Sequence, residues 1–404
     1  MTPTILVLNA GSSSIKFQLF AVTADASLAR RLKGQMEGIG GRPRLVAKGA
    51  DGKVLTEQTW SDAEAPGVPA ALDKVISFLR QTIGSLPTAI GHRVVHGGPN
   101  YSEPTVVTAA ALAELERLAP LAPLHQPHNV GLIRLILARQ PHLLQVACFD
   151  TAFHRGHADV ADRYAIPEAL FAEGVRRYGF HGLSYEYIAG RLEEMAPDVA
   201  KGRVVVAHLG SGASMCALKA GKSVESTMGF TALDGLPMGT RPGQLDAGVV
   251  LYLMNEKGMD AKAIERLLYN DCGLKALSGV SNDVRVLLAS SEQRAKLALD
   301  YFVHRVQLST GMLVAAMDGI DAFVFTAGIG ENAPSIRTAV VQGLSCFDLA
   351  IDEAANANGG PLISRRGSGV PCYVIPTDEE LMIARHTLRV WQQQASPQLK
   401  EKRA

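Results

Sequence analysis

The sequence predicts an α/β protein built from two related halves. Apolar runs of strand length alternate with segments of helical period along the whole chain. Glycine is raised, at 39 of 404 residues, against a usual ~7%. Those glycines cluster just after apolar strands, where a backbone must approach something closely. An internal echo links the halves. At an offset of 199 residues Gly11 falls on Gly210, Ser12 on Ser211 and Leu19 on Leu218. Each half would then open with a hairpin whose turn is small and polar.

The elements follow in order. Ile5–Leu8 reads as a buried strand, Asn9–Ser14 as a polar turn and Ile15–Phe20 as an alternating strand. Asp51-Gly52 marks a hairpin turn between 45–48 and 53–58. Leu72, Val75, Ile76 and Leu79 set a helix over 69–83. A strand over 89–95, helices at 109–118 and 127–139 and a strand over 143–149 complete the first half, which ends at Asp150. Residues 151–183 are loop-rich, and Ser184 is placed to cap a helix to about Met195. A strand over 203–207 leads into His208–Ala213, and 228–245 is an irregular Gly- and Pro-rich loop. Helices at 247–256, 260–269 and 292–317 precede a strand over 321–326, the run Ala327–Asn332, a short helix and a strand over 372–375. Thr377-Asp-Glu-Glu380 reads as a capping box opening a last helix to about 393, with a polar, frayed tail from Ser396.

Lys and Arg total 40 and Asp and Glu 39, giving a net charge of +1. Proteins that hold nucleic acid or anionic membrane by bulk field carry a clear basic excess, so neither partner is expected. No apolar run approaches the ~20 residues that cross a bilayer, and no signal peptide is apparent. Five scattered cysteines without a CxxC pair suit reduced thiols, and a cytoplasmic location is expected.

Turns of Gly and Ser after buried strands can expose backbone N–H groups to phosphate oxygens. Three occur, at 9–14, 208–213 and 327–332; plain hairpin turns would explain any one of them. Ala220-Gly-Lys-Ser223 lacks the glycine a P-loop needs, since that position is Cys216. Gly328-Ile-Gly330-Glu-Asn-Ala333 matches a dinucleotide fingerprint, but alone and late in the chain. His92 and His96 would point the same way on a strand but about 13 Å apart, which disfavours a metal site. His125, His128, His154 and His157 read as surface or packing histidines. Arg93, inside an apolar strand, and Arg241, among small residues, suit bidentate contact with carboxylate or phosphate, or a structural salt bridge. Asp150 at a strand end and Glu379 in a first helical turn are placed for metal or catalysis, though a helix dipole alone would favour Glu379.

Several long motifs together resemble the acetate kinase (acetokinase) family. They are Ile5–Lys16, Gly91-His-Arg-Val-Val-His-Gly-Gly98, Leu124-His125, Phe149-Asp-Thr-Ala-Phe-His154, Tyr178–Ser184, Met238-Gly-Thr-Arg241, Thr326–Asn332 and Asp378–Glu380, spread in order over essentially the whole chain. The resemblance implies two ribonuclease H-like domains of the acetate and sugar kinase, heat-shock ATPase and actin superfamily, with the active site in a cleft between them. The first domain, on the acetate side, would be 1–150 plus 386–404, and the second, on the nucleotide side, 151–385. The implied reaction is reversible phosphoryl transfer between ATP and acetate, giving ADP and acetyl phosphate, with Mg²⁺ or a substituting Mn²⁺; a propionate or butyrate kinase is the alternative. The family also implies a homodimer.

By the same resemblance Asn9 and Glu379 position the metal and Lys16 lies near the phosphates. His208, Leu209, Gly210, Ser211 and Gly212, with Asp283, Val284 and Arg285 and with Gly328, Ile329, Gly330, Glu331 and Asn332, hold the nucleotide. Arg93 binds the acetate carboxylate, and Val95, Leu124, Phe180 and Ala232 line the methyl pocket. Arg241 and His181 stabilise the transferring phosphoryl group, His125 approaches it, and Asp150 orients Arg241 or a metal-bound water. Two departures from the family pattern stand out. Ser211 replaces the asparagine of the usual HLGNG loop, and Ala232 replaces a proline of the pocket segment.

Overall fold

In the computed structural model residues 2–401 are described, with side chains through Gln394. The chain forms two compact units, Met1–Ala152 with Asp378–Ala404, and Phe153–Thr377. The second change of unit falls at 377/378, just before the last helix, Glu379–Glu401. A boundary at 385/386 would cut that helix, which also runs past residue 393. The last tail residues, 402–404, lie outside the described part.

The first unit carries an eight-stranded sheet: β1 (Thr4–Ala10), β2 (Ser14–Val22), β3 (Leu28–Glu37), β4 (Arg44–Gly49), β5 (Val54–Thr59), β6 (Ala89–Val94), β7 (Thr105–Val106) and β8 (Leu144–Phe149). Their order is β5-β4-β3-β2-β1-β6-β8-β7. β1 to β5 form an antiparallel meander, and β6 and β8 run parallel to β1. One face packs Leu6, Leu8 and Ile90 against Leu72, Val75 and Leu79 of helix Gly67–Ile83 and Ile136 of helix Gln126–Arg139. The other face receives the last helix. A side chain at Gly91 would come within 2.3 Å of the Thr387 hydroxyl oxygen and 2.6 Å of Ile383, so glycine on β6 is what lets that helix lie close.

The second unit repeats the plan with β9 (Arg203–Leu209), β10 (Ala213–Lys219), β11 (Lys222–Ser226), β12 (Ala322–Thr326) and β13 (Cys372–Val374), ordered β11-β10-β9-β12-β13. Helix Gly182–Met195 covers this sheet with Tyr185, Ile188 and Leu192. Ala220-Gly221, part of the rejected P-loop match, is the positive-φ turn between β10 and β11.

Three local expectations are corrected. Ser184 does not cap its helix. His181 holds the N-cap position at φ +57°, and the Ser184 hydroxyl bonds His208 Nδ1 and the Thr377 hydroxyl instead. Thr377 is not the cap of the last helix either, because the Asp378 carboxylate accepts from Leu381 N at 2.9 Å, the reach of an N-cap acid. The run 327–332 is not a turn but a helical segment directly after β12, entered through Ala327 at φ +65°. β3 and β7, in contrast, carry no signal that the sequence reading used.

Candidate active site

In the first unit, the carboxyl ends of three adjacent parallel strands bring the expected residues to one face. β1 pairs with β6 so that Leu8 lies beside His92, and β6 pairs with β8 so that Arg93 lies beside Cys148. By alternation Asn9, Arg93 and Asp150 share a side, and Lys16, opposite Asn9 on β2, joins them. Arg93 Nε and Nη2 donate to the two Asp150 oxygens at 3.0 and 2.6 Å. Glu379, brought in by the last helix, lies 3.6 Å from Arg93 Nε. Burial opposes the Arg93 charge, but Asp150 and Glu379 outweigh it and hold the guanidinium above its ordinary range.

Within the first unit Asp150 thus fixes the plane of Arg93, and each of its oxygens keeps acceptor capacity for a further donor. The Arg93 fork is half used, since the Nη1 edge faces no acid of this pair. Glu380, one residue on from Glu379, is raised by burial and by its neighbours Glu379 and Asp378; with Lys16 it lines a groove of about 410 Å³.

Val95 is buried, and its N–H donates to Asn129 Oδ1 at 3.1 Å. Asn129 Nδ2 in turn donates to the Ala10 carbonyl at 2.8 Å. Gln126 clamps His96 N and O at 3.1 and 2.9 Å. These two buried amides fix the strand end that presents the acid site. The sequence reading passed over them, although polar residues on the inner face of an apolar helical pattern were the available signal. Leu124 is exposed and His125 heads helix Gln126–Arg139, half-buried. His92 is no ligand. It is buried against Gln145 Oε1 at 2.8 Å, and burial pushes it down to about 4.

In the second unit, Gly210 and Ser211 of the β9–β10 turn, the segment Asn282–Arg285, and Gly328, Ile329, Asn332 and Ala333 of the run after β12 line one cavity of about 650 Å³. Three stretches far apart in sequence thus line one space. Asn282, Leu288 and Ala333 are the lining residues missed. His208 and Leu209 are the buried strand end before the turn, and Gly330 packs behind it against β12. Glu331 points elsewhere, with Oε1 accepting from Thr377 N at 3.1 Å. Asp283 caps the helix Val284–Ala289, and the exposed Arg285 folds back onto it.

Arg241 and His181 converge on that turn. A side chain at Gly212 would lie 2.9 Å from Arg241 Nη2 and 3.4 Å from His181 Nε2. Arg241 Nη1 donates to the Ala232 carbonyl at 2.6 Å, and no carboxylate figures among the groups that act on its charge. Burial pushes the guanidinium down from its ordinary value, with Tyr269 opposing. Its loop is pinned by backbone bonds, Cys272 N to Thr240 O, Leu274 N to Met238 O and Lys275 N to Gly239 O. His181 stacks on His208 at 4.2 Å between ring centres, and its Nδ1 bonds the Ser214 hydroxyl at 2.8 Å. Phe180, just before it, is buried.

The sequence profile of the acetokinase family matches residues 4–385. The chain belongs to that family. Over 400 residues it is 58% identical to the acetate kinase of Nitrobacter hamburgensis, covering 99% of each chain. It is 56% identical over 384 residues to that of Rhizobium meliloti, covering 95% of this chain and 97% of the relative. Among solved structures it is similar to a propionate kinase from Francisella tularensis (35% identity, TM-score 0.88) and to Porphyromonas gingivalis acetate kinase (35%, 0.86), each covering 96% of this chain and 99% of the other. The acetokinase family membership and these neighbours fit the two hairpin-led α/β units, and the chain is a phosphotransferase of the two-domain acetate and sugar kinase fold.

Among the described residues no helix is long and apolar enough to cross a membrane, and no three His, Cys, Asp or Glu cluster as a metal cage. Asn9 and Glu379 offer hard oxygen donors beside Asp150. Two protein oxygens completed by substrate phosphates and water suit Mg²⁺, which rarely uses an all-protein cage, so the donor set fits the ion the family implies.

Proposed function

We infer that the chain transfers a phosphoryl group reversibly between ATP and acetate, giving ADP and acetyl phosphate. The observation that carries the acid half is the half-used fork of Arg93. Asp150 fixes the guanidinium plane through one edge, and the other edge is left to hold a carboxylate bidentately. Acetate is already an anionic nucleophile, so catalysis is mainly positioning and charge neutralisation.

In this reading Val95, Leu124, Phe180 and Ala232 wall the methyl group. Backbone N–H groups of 210–212, with residues 283–285 and 328–332, hold the nucleotide. Lys16 and His125 approach the phosphates, and Arg241 and His181 meet the charge that develops on the transferring group. Mg²⁺, or Mn²⁺ in its place, would be held by Asn9 and Glu379 and would offset charge on the phosphate oxygens. The first unit then serves acetate and the second the nucleotide.

A homodimer and a cytoplasmic setting complete the proposal. Helix Ala247–Asn255 buries none of its nine residues and exposes Leu251 and Tyr252 by 59% and 50%, a face suited to a second copy. None of the five cysteines is in a disulfide, as a reducing compartment keeps them. Light scattering should give twice the chain mass.

The deciding experiment traps acyl phosphate as hydroxamate with ATP, Mg²⁺ and acids of two to four carbons. Acetate should give the highest kcat/KM; a maximum at propionate or butyrate would overturn the assignment of substrate.

A further inference from the structure

Beneath the turn that carries His181 lies a buried polar chain that the reaction itself does not use. His154 is fully buried. Its Nε2 lies 3.0 Å from the Phe180 carbonyl oxygen and its Nδ1 2.8 Å from Ser223 Oγ. His157 Nε2 lies 2.7 Å from the same hydroxyl, and Cys216 Sγ 3.2 Å from it. A carbonyl can only accept, so His154 must carry its proton on Nε2 and accept at Nδ1. Ser223 then gives its only proton to His154, and a lone pair takes His157 Nε2–H; the Cys216 thiol beside it also has the Ala217 carbonyl, at 3.7 Å, to donate to. The row of ring and hydroxyl groups points one way, from His157 through Ser223 and His154 to the Phe180 carbonyl.

The neighbouring residues pull on the same strip of backbone. Arg155 Nη2 donates to the carbonyls of Arg177 and Tyr178 at 3.1 and 2.8 Å. Gly179 takes φ +72°, and a Cβ there would sit 2.6 Å from the His154 ring. His181 itself stands at φ +57°, a conformation non-glycine residues hold only when their surroundings impose it. Burial pushes His154 down to about 3, helped by His157 and Arg155, so the ring stays neutral and its donor stays on the carbonyl.

Asp162, His157 and Ser223 stand in the order of a hydrolase triad, with His157 Nδ1 3.5 Å from Asp162 Oδ1. The hydroxyl is no nucleophile, since its proton is committed to His154 and the residue is only 3% exposed.

We propose that His154, held in its Nε2–H form by Ser223, is a positioning residue for catalysis: it locks the Gly179-Phe180-His181 turn so that His181 Nε2 meets the transferring phosphoryl group. The proposal rests on the assignment of His181 to that group. His154 touches no substrate and acts only through His181.

The experiment is a double-mutant cycle on the full-length enzyme, with kcat and both KM values measured for His154→Ala, His181→Ala and the pair. His154→Ala should lower kcat about tenfold or more and leave the KM for ATP within about twofold. In the His181→Ala background the same change should cost less than about twofold, because the residue it positions is gone. His154→Gln, which keeps an N–H donor to the Phe180 carbonyl, should restore much of kcat and covers the case in which the alanine variant folds poorly. Nitrogen NMR of the unmutated enzyme should find His154 as the neutral Nε2–H tautomer. Equal losses in both backgrounds, or an Nδ1–H tautomer, would overturn the proposal. A His181→Ala enzyme with unchanged kcat would remove the assignment of His181, and the positioning role of His154 with it.

Discussion

The two sheets share one plan and differ at their strand ends. β3-β2-β1-β6-β8 and β11-β10-β9-β12-β13 have the same order and sense, and the offset of 199 lays Thr4–Ala10 on Arg203–Leu209. In the first unit the strand ends carry charge that is already paired, Arg93 on Asp150. In the second the arginine comes from an irregular loop, is buried, and rests on a carbonyl rather than an acid. A paired guanidinium is oriented for a ligand and costs little to keep. A buried one without a carboxylate keeps its charge uncompensated until a negative group arrives. The contrast predicts that the first arginine governs binding of the acid and the second governs the transition state.

The sharpest way to break that contrast is to replace each arginine by lysine, which keeps the charge and loses the planar fork. Arg241→Lys should lower kcat by roughly 10²-fold or more, as loss of ~3 kcal/mol of electrostatic stabilisation implies. Arg93→Lys should act more strongly on the KM for acetate, since the Asp150 anchor goes with the fork. Equal effects of the two changes on kcat and on KM would erase the distinction.

Each unit also buries a histidine that must stay neutral, His92 at about 4 and His154 at about 3, against ~6.5 when unfolded. Between those values the unfolded chain binds a proton that the native one does not. Stability is therefore intact above ~6.5 and falls as pH drops toward the folded values, by about 1.4 kcal/mol per pH unit for each group. Urea unfolding from pH 7 to 5 should show this slope, and His92→Gln should flatten it by one proton. A variant as steep as its parent would mean that His92 takes up a proton in the folded state.

How much of this was legible follows the physics of each signal. The hairpin turns, helix Gly67–Ile83 and the strand ends Arg93 and Asp150 were readable because period and punctuation are local. The pairing of Arg93 with Asp150 was not, because a guanidinium's partner is set by strand register, which sequence spacing leaves open. Ser184 and Thr377 misled for a related reason. Both look like caps locally, yet they bond each other at 2.8 Å across 193 residues. Gly212 was legible as a turn residue, but not as the position where any side chain would strike Arg241. His154 passed as an ordinary packing histidine because nothing local says that its partner is the Phe180 carbonyl.

A smaller effect tests the first unit's share of the metal. Glu379 stands 3.6 Å from Arg93, so it is either an oxygen donor for Mg²⁺ or only a second neighbour of that arginine. As a donor, Glu379→Ala should raise the Mg²⁺ concentration needed for half-maximal rate and lower kcat, by roughly 10–100-fold in the range of lost metal-ligand support. Unchanged Mg²⁺ dependence would leave it the second role alone.

The smallest effect expected is at Ala232, where the second unit touches both halves of the contrast. Its carbonyl holds Arg241 Nη1 at 2.6 Å, while in the proposed pocket its side chain faces the acyl methyl group. Proline keeps the carbonyl, and among the described residues none accepts a hydrogen bond from the Ala232 N–H. Ala232→Pro therefore adds about two carbons of wall without removing the contact to Arg241. One methylene in an apolar pocket is worth ~1–3 kcal/mol, or roughly 10–200-fold in kcat/KM. The lower end applies here, because Ala232 is one of several wall residues. The acetate-to-propionate ratio of kcat/KM should rise about tenfold. If residue 232 matters only through its carbonyl, the stiffer ring shifts Arg241 and both acids lose rate alike. A folded Ala232→Pro enzyme with an unchanged or lower ratio would assign this position to the arginine and not to the pocket.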